Sequence, residues 1–180
     1  MAGFNDAFDR LILKEGGYSD DPRDAGGKTK YGITEAVARA NGYAGGMADL
    51  TADNARSIYR TQYWNTLQLD KVSAMAAGIA EEMFDTGVNT GIGTSGKFLQ
   101  RALNAFNRQG ADYPDLTVDG IVGPGTIYAL HGYLRKRGAE GEKILLRALN
   151  ALQGERYINI VEKISKNEDF VYGWIRNRVA

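Results

Sequence analysis

Apolar residues recur every three or four positions along most of this chain, and that spacing predicts helices with one buried face. Phe8, Leu11 and Ile12 begin the pattern. One segment, from Tyr18 to Ile33, interrupts it with a proline and three glycines among Asp, Ser and Thr residues. We therefore expect a mainly α fold with a small β-hairpin or loop after the first helix.

Residues that favour helix ends indicate where the helices begin and stop. The first helix should stop at Gly16–Gly17, because glycine accepts the left-handed cap conformation. Thr34 and Thr51 suit the N-caps of the second and third helices, and Pro124 suits the first turn of a later one. The run from Ser73 to Asn89 predicts one central helix.

Composition excludes several classes of protein. With 22 basic and 22 acidic residues the formal net charge is zero, so no overall attraction to nucleic acid is expected. The absence of cysteine excludes disulfides and thiolate zinc sites. The N-terminus lacks the basic start and apolar run of a signal peptide, and no apolar stretch approaches the roughly 20 residues of a membrane helix. A protein that is not exported by a signal peptide is expected.

Glu15 is a carboxylate on the apolar stripe of the predicted first helix, since it follows Leu11 by four residues. Desolvation and the partial negative charge of the helix end both predict a raised pKa, which a general acid needs near neutral pH. The alternative is that Glu15 extends past the helix end and pairs with Lys14, Lys28 or Lys30.

The segment from Glu15 to Thr34 resembles the signature of the muramidases of glycoside hydrolase family 108. The shared elements are Glu-Gly-Gly-Tyr (Glu15–Tyr18), Pro22 and Asp24, Gly26–Gly27, Thr29 and Tyr-Gly-Ile-Thr (Tyr31–Thr34). The resemblance implies a lysozyme-like helical fold, bacterial peptidoglycan as the partner, and Glu15 as the essential catalytic residue.

A second resemblance covers the later part of the chain. The strings Phe98–Asn104 and Val118–Thr126 look like the predicted peptidoglycan-binding segment that accompanies the family, although a tight turn plus a helix start would also explain the second string. We expect a catalytic segment over residues 1–92 and a binding segment over 93–180, packed into one globular body. Gly91–Gly96 is the expected hinge.

Glycoside hydrolysis also needs a second polar group to activate water or stabilise the transition state. The order Glu15, Asp24, Thr29 is similar to that of phage-type lysozymes, which makes Asp24 the candidate partner and Thr29 a candidate for orienting water. The interval to Thr29 is one residue shorter than in that pattern. The alternative for Asp24 is an aspartate that only stabilises a turn, and the alternative for Thr29 is a hairpin residue with no chemical role.

Four further residues are candidates for binding sugar. Asp85 and Asn89 lie one turn apart on the predicted central helix, and Tyr18 and Tyr31 flank the predicted hairpin. The alternatives are capping or inter-helix hydrogen bonds for the first pair and packing for the tyrosines. No cofactor or metal is expected, because the lone His131 has no second ligand at metal spacing.

Three functions remain open: a lysozyme that hydrolyses the bond after N-acetylmuramic acid, a lytic transglycosylase on the same bond, and a wall-binding module without catalysis. The resemblance favours a monomeric phage endolysin that accumulates in the host cytoplasm and reaches the wall through a holin. The C-terminal basic residues predict weak contact with anionic membranes, against an alternative of solvated helix faces. They are Arg135, Lys136, Arg137, Lys163, Lys166, Arg176 and Arg178.

Overall fold

The computed structural model describes residues 3–14, 18, 28–164 and 167–179, and helices form most of these ranges. The chain divides into two compact units, Met1–Thr66 and Leu67–Ala180. Within the described residues the only strands form one two-stranded antiparallel hairpin after the first helix. The predicted mainly α fold with a small hairpin is confirmed.

The first unit is built on aromatic contacts of its first helix. Its elements are α1 (Phe4–Lys14), β1 (Thr29–Lys30), β2 (Ile33–Thr34), α2 (Glu35–Ala40), a 3-10 turn (Met47–Asp49), α3 (Ala52–Tyr59) and a π-helical turn (Arg60–Asn65). Helix α1 buries Phe4, Phe8 and Leu11, as the sequence spacing predicts. The ring of Phe4 packs edge-on against Trp64 at 5.3 Å, and that of Phe8 against Tyr59 at 5.7 Å. These rings hold α1 against α3 and the π-helical turn.

The predicted N-caps are confirmed. The Thr34 hydroxyl accepts a hydrogen bond from Val37 N at the start of α2. Thr51 forms a capping box with Asn54 at the start of α3, so each residue satisfies a backbone N–H of the other.

Among its described residues the second unit contains five helices. They are α4 (Leu69–Met75), α5 (Ala77–Thr90), α6 (Ile92–Ala105), α7 (Pro124–Lys163) and α8 (Glu168–Arg178). Pro124 lies in the first turn of α7, as predicted. Helix α7 is kinked at Gly138, whose φ of 58° and ψ of −151° are not helical. No helix among the described residues is both long enough and apolar enough to span a membrane.

Two sequence expectations in this unit are wrong. The single helix over Ser73–Asn89 is broken at the buried Ala76, which is extended at φ −156° and ψ 92° and separates α4 from α5. Ala76 carries no local breaking signal, so packing within the unit overrides its helix propensity. The hinge expected over Gly91–Gly96 is not a loop. Only Gly91 separates α5 from α6, because α6 already begins at Ile92.

Candidate functional site

The glycine-rich motif segment lies between α1 and β1. The structure describes α1 as far as Lys14 and, apart from Tyr18, the chain again from Lys28. Glu15 and Asp24 lie outside the described residues, so their catalytic roles stay predictions. The side chain of Tyr18 is exposed.

The hairpin that follows has a two-residue turn at Tyr31 and Gly32. Both residues have positive φ, 53° and 71°, which is the backbone of the turns that match the twist of paired strands. The Tyr59 hydroxyl donates a hydrogen bond of 2.9 Å to the carbonyl of Tyr31, and Ile33 is buried beside the turn. These contacts offset the strain of a left-handed tyrosine and fix the hairpin in its unit.

The hairpin carries two of the predicted site residues. Thr29 lies on β1, half-buried, with its Cα paired to that of Thr34 across the ladder. Tyr31 is half-buried at the turn, and the Lys30 ammonium lies 5.5 Å from the centre of its ring. Thr29 therefore presents a hydroxyl from a fixed backbone, and Tyr31 presents part of its ring.

Asp85 is the centre of a polar cluster in the second unit. Its Oδ1 accepts a hydrogen bond of 3.0 Å from Arg178 on α8, and both side chains are nearly buried. Its Oδ2 accepts bonds of 3.2 Å from Asn89 and 3.3 Å from Gln153 on α7. Asn89 also donates to the Asp85 carbonyl at 2.7 Å. These are the inter-helix and local bonds of the alternative interpretation, and they engage both carboxylate oxygens.

Gln153 and Tyr157 belong to this cluster and were missed in the sequence. They continue the buried face of α7 through Leu145 and Leu149, four residues apart each time. A glutamine on an apolar stripe is the same signal that singled out Glu15. Gln153 donates 3.1 Å to Thr86, while its Oε1 and the Tyr157 hydroxyl are buried without a hydrogen-bond partner among the described residues.

The environment of Tyr157 keeps its hydroxyl protonated. Burial, helped by the charge of Asp85, raises the pKa of Tyr157 far above its ordinary value of 10.0. The phenol therefore stays neutral at physiological pH.

Three amide side chains at the end of α6 hold the loop that leads to α7. We call Gln100, Asn104 and Asn107 the amide ladder, because their spacing of four and three residues aligns them along one side of the helix end. Asn104 donates to the carbonyl of Leu116 and accepts from its N–H, both at 2.8 Å. Asn107 accepts from the N–H of Tyr113 at 3.1 Å and donates to its carbonyl at 2.6 Å. The loop backbone is therefore paired as it would be in a strand.

Gln100 anchors the Asp-Gly string that begins at Asp119. Its Oε1 accepts from Gly120 N at 2.8 Å, and its Nε2 donates to the Asp119 carboxylate at 2.8 Å and to the Ile121 carbonyl at 3.1 Å. The bond from Gln100, followed by that from Ile121 N, lowers the pKa of Asp119 below its ordinary value. A Cβ on Gly96 would stand 2.1 Å from the carbonyl oxygen of Gly120, so helix and loop touch through backbone.

The string Val118–Thr126 therefore has a structural explanation. Asp119 and Gly120 form the turn that Gln100 holds, and Thr126, in the first turn of α7, donates to the Ile121 carbonyl at 3.4 Å. The tight turn and helix start that the sequence offered as an alternative are both present.

The basic residues of the C-terminal half differ in whether their charge is already paired within the protein. Arg178 is bound to Asp85, and both Lys136 and Arg137 pair with Asp112. Arg176 and Lys163 are exposed. Part of the predicted cationic surface is thus neutralised within the second unit.

Comparisons with known proteins agree with the motifs. Residues 8–91 match the family model described as glycosyl hydrolase 108, and residues 95–179 match that of the predicted peptidoglycan domain. No curated protein matched the chain. The solved structure of SagA from Brucella abortus is similar, with 27% sequence identity and a TM-score of 0.65 over 97% of this chain and 91% of that chain.

The helical fold and these two matches define the class of the protein as a glycoside hydrolase that degrades peptidoglycan. Residues 8–91 form a glycosyl hydrolase 108 domain, and a predicted peptidoglycan domain follows it over residues 95–179.

Proposed function

We propose that the chain is an N-acetylmuramidase that hydrolyses the β-1,4 bond between N-acetylmuramic acid and N-acetylglucosamine. The observation that carries this proposal is the Glu-Gly-Gly-Tyr motif at Glu15–Tyr18, which falls inside the family match over residues 8–91. Glu15 protonates the leaving glycosidic oxygen as the general acid that glycoside hydrolysis requires.

Asp24 is proposed as the second catalytic carboxylate and Thr29 as the residue that orients the attacking water. Support for Thr29 comes from its half-buried position on a hairpin whose turn is fixed by Tyr59. Tyr18 and Tyr31 are proposed to pack against the sugar chain.

The test measures turbidity loss of purified walls by wild type, Glu15→Gln and Asp24→Asn. Two acids provide conservative controls with the same loss of charge: Glu35→Gln, whose side chain pairs with the exposed Arg39, and Asp20→Asn in the motif segment. Loss of a general acid should lower the rate by about 10²- to 10⁴-fold, whereas the controls should retain activity. Full activity of Glu15→Gln would overturn the assignment.

Mass spectrometry of the digest then identifies the reaction. Reducing muramic ends support hydrolysis, whereas anhydro-muramic ends would assign the chain as a lytic transglycosylase.

We also propose that the protein acts as a monomeric phage endolysin, held in the host cytoplasm until a holin opens the inner membrane. Exposed cations such as Arg176 and Lys163 would add weak contact with anionic lipid. Expression in a Gram-negative host should cause lysis only when a holin is co-expressed. Lysis without a holin would contradict this route.

A further inference from the structure

A groove opens in the second unit where α7 kinks. Its volume is about 520 Å³, within the range of small-ligand sites. Phe106 and Tyr133 form its aromatic part, with the two rings stacked at 5.6 Å, and Ile144 adds aliphatic surface. Lys136, Arg137 and Glu140 provide its charged groups. Every lining residue falls within the match to the predicted peptidoglycan domain.

The charges around this groove are unbalanced in favour of cations. Asp112, whose side chain is only 4% exposed, pairs with Arg108, Lys136 and Arg137 at once. Hydrogen bonding to Lys136 lowers the pKa of Asp112, so the carboxylate is ionised at neutral pH. Asp112 and Glu140 are two anions against these three partly exposed cations, which leaves a net positive charge available to an acidic ligand.

Arg137 is held in place on one side of the groove. Its guanidinium lies 5.3 Å from the centre of the Tyr133 ring, and its Nη2 donates 2.9 Å to the Phe106 carbonyl. Its Nε is buried and has no hydrogen-bond partner in the part of the chain that the structure describes. A cation fixed in this way loses little side-chain entropy when an anion binds.

The two segments of α7 meet beside the groove. Gly141 lies in the first turn after the kink at Gly138, where the C-terminal end of one segment faces the N-terminal end of the next and their opposite partial charges offset each other. The Tyr133 hydroxyl donates 2.9 Å to the Gly141 carbonyl and ties the two segments together across the kink.

We propose that this groove binds the carboxylate-bearing stem peptide of peptidoglycan. The inference rests on the proposed function in taking peptidoglycan as the polymer that the enzyme cleaves. Sugar chains are commonly bound on exposed aromatic faces, but Tyr133 is only 1% exposed, and Phe106 is half-buried with its ring stacked on Tyr133, so little aromatic face is offered. Fixed cations beside apolar side chains fit a short peptide with free carboxylates.

The test titrates three soluble probes into the full chain carrying Glu15→Gln, which should leave the probes uncleaved. They are a muramyl tripeptide with free carboxylates, the same peptide with its carboxylates amidated, and a chitotriose. Backbone amide NMR signals report the site. The free-carboxylate peptide should shift signals of residues 136–144, and amidation should weaken binding roughly fivefold, the size of one partly exposed ion pair. Equal shifts with chitotriose or with the amidated peptide would overturn the proposal.

Charge variants add a matched comparison. Lys136→Gln should weaken binding of the acidic peptide about fivefold, whereas Arg135→Gln, an exposed neighbour outside the lining, should not. Equal weakening by both variants would show that binding depends on the overall charge and not on the groove, and it would overturn the proposal. Since Lys136 also pairs with Asp112, a second variant separates binding from folding. Glu140→Gln removes the groove's own anion from an exposed side chain and should strengthen binding; unchanged or weaker binding would overturn the proposal.

Wall digestion by the wild-type chain, read by mass spectrometry, separates the two proposals. Reducing muramic ends without carboxylate-dependent binding would overturn only the proposal that the groove binds the stem peptide. Carboxylate-dependent binding without reducing muramic ends would overturn only the assignment as a muramidase.

Discussion

Replacing Gln100 with methionine tests whether the amide ladder stabilises the second unit. Methionine keeps the length and shape of the side chain but removes its donor and acceptor. The buried N–H of Gly120 then loses its only ladder partner, at a cost of about 2 kcal/mol. The bonds to Asp119 and the Ile121 carbonyl contribute about 1 kcal/mol each.

Part of this loss is recovered, because a buried thioether gains about 1.5 to 2 kcal/mol from the hydrophobic effect. The expected net loss for Gln100→Met is therefore about 2 kcal/mol in the free energy of unfolding. Urea denaturation followed by circular dichroism should show a lower midpoint with an unchanged slope. Hydrogen exchange should also show faster exchange of the Gly120 amide.

The matched control is Arg101→Met, which changes the exposed neighbour and should stay within about 0.5 kcal/mol of wild type. A Gln100→Met variant as stable as this control, with the Gly120 amide still protected, would refute the reasoning. The loop would then be held by its own turns and not by the ladder.

Three further variants test other contacts. Gly96→Ala should lower the free energy of unfolding by about 3 kcal/mol in denaturant melts, because the new Cβ meets a loop carbonyl that cannot move away cheaply. Arg178→Met should cost about 3 kcal/mol in the same assay, since it leaves the nearly buried Asp85 carboxylate without its ion pair. Asp119 has a lowered folded pKa, so it stabilises the fold above its ordinary pKa of 3.8, and this stability is lost as pH falls towards the lowered value. The free energy of unfolding of Asp119→Asn, measured against pH, should therefore fall less steeply at acidic pH than that of wild type.

Each of these has a contrary outcome. Gly93→Ala, whose Cβ meets open space in the same helix, should be neutral or stabilising, and an equal loss there would show that the contact of Gly96 with the loop carbonyl is not responsible. Adding Asp85→Asn to Arg178→Met should restore stability; no restoration would argue against an uncompensated charge. If the free energy of unfolding of Asp119→Asn falls at acidic pH as steeply as that of wild type, other carboxylates control stability in acid.

The fold was predictable where short-range chemistry decides it. The caps at Thr34 and Thr51 follow from side chains that bond within one helical turn, and the start of α7 at Pro124 follows from a ring that fixes φ and a nitrogen that has no N–H to pair. The break at Ala76 was not predictable, because an alanine is extended there for the packing of its unit. Gly96 suggested flexibility, yet it is small because the backbone of a distant loop touches it.

The candidate site divides in the same way. A polar residue on an apolar stripe was recognised for Glu15, and the same signal at Gln153 was overlooked because it lies in an otherwise ordinary helix. The partners of Asp85 were not predictable, since Arg178 is 93 residues away in the chain. The groove at the kink of α7 depends on the left-handed φ of Gly138, which a glycine permits but does not require.

The amide ladder has a consequence for how relatives of this chain diverge. Asn104 holds Leu116 through main-chain atoms alone, and Asn107 and Gln100 likewise bond to backbone groups of Tyr113 and Gly120. The path of the loop is therefore set by the three amides and not by most of the side chains that the loop displays. Substitutions among those side chains in relatives should change the surface of the loop and leave its backbone in place.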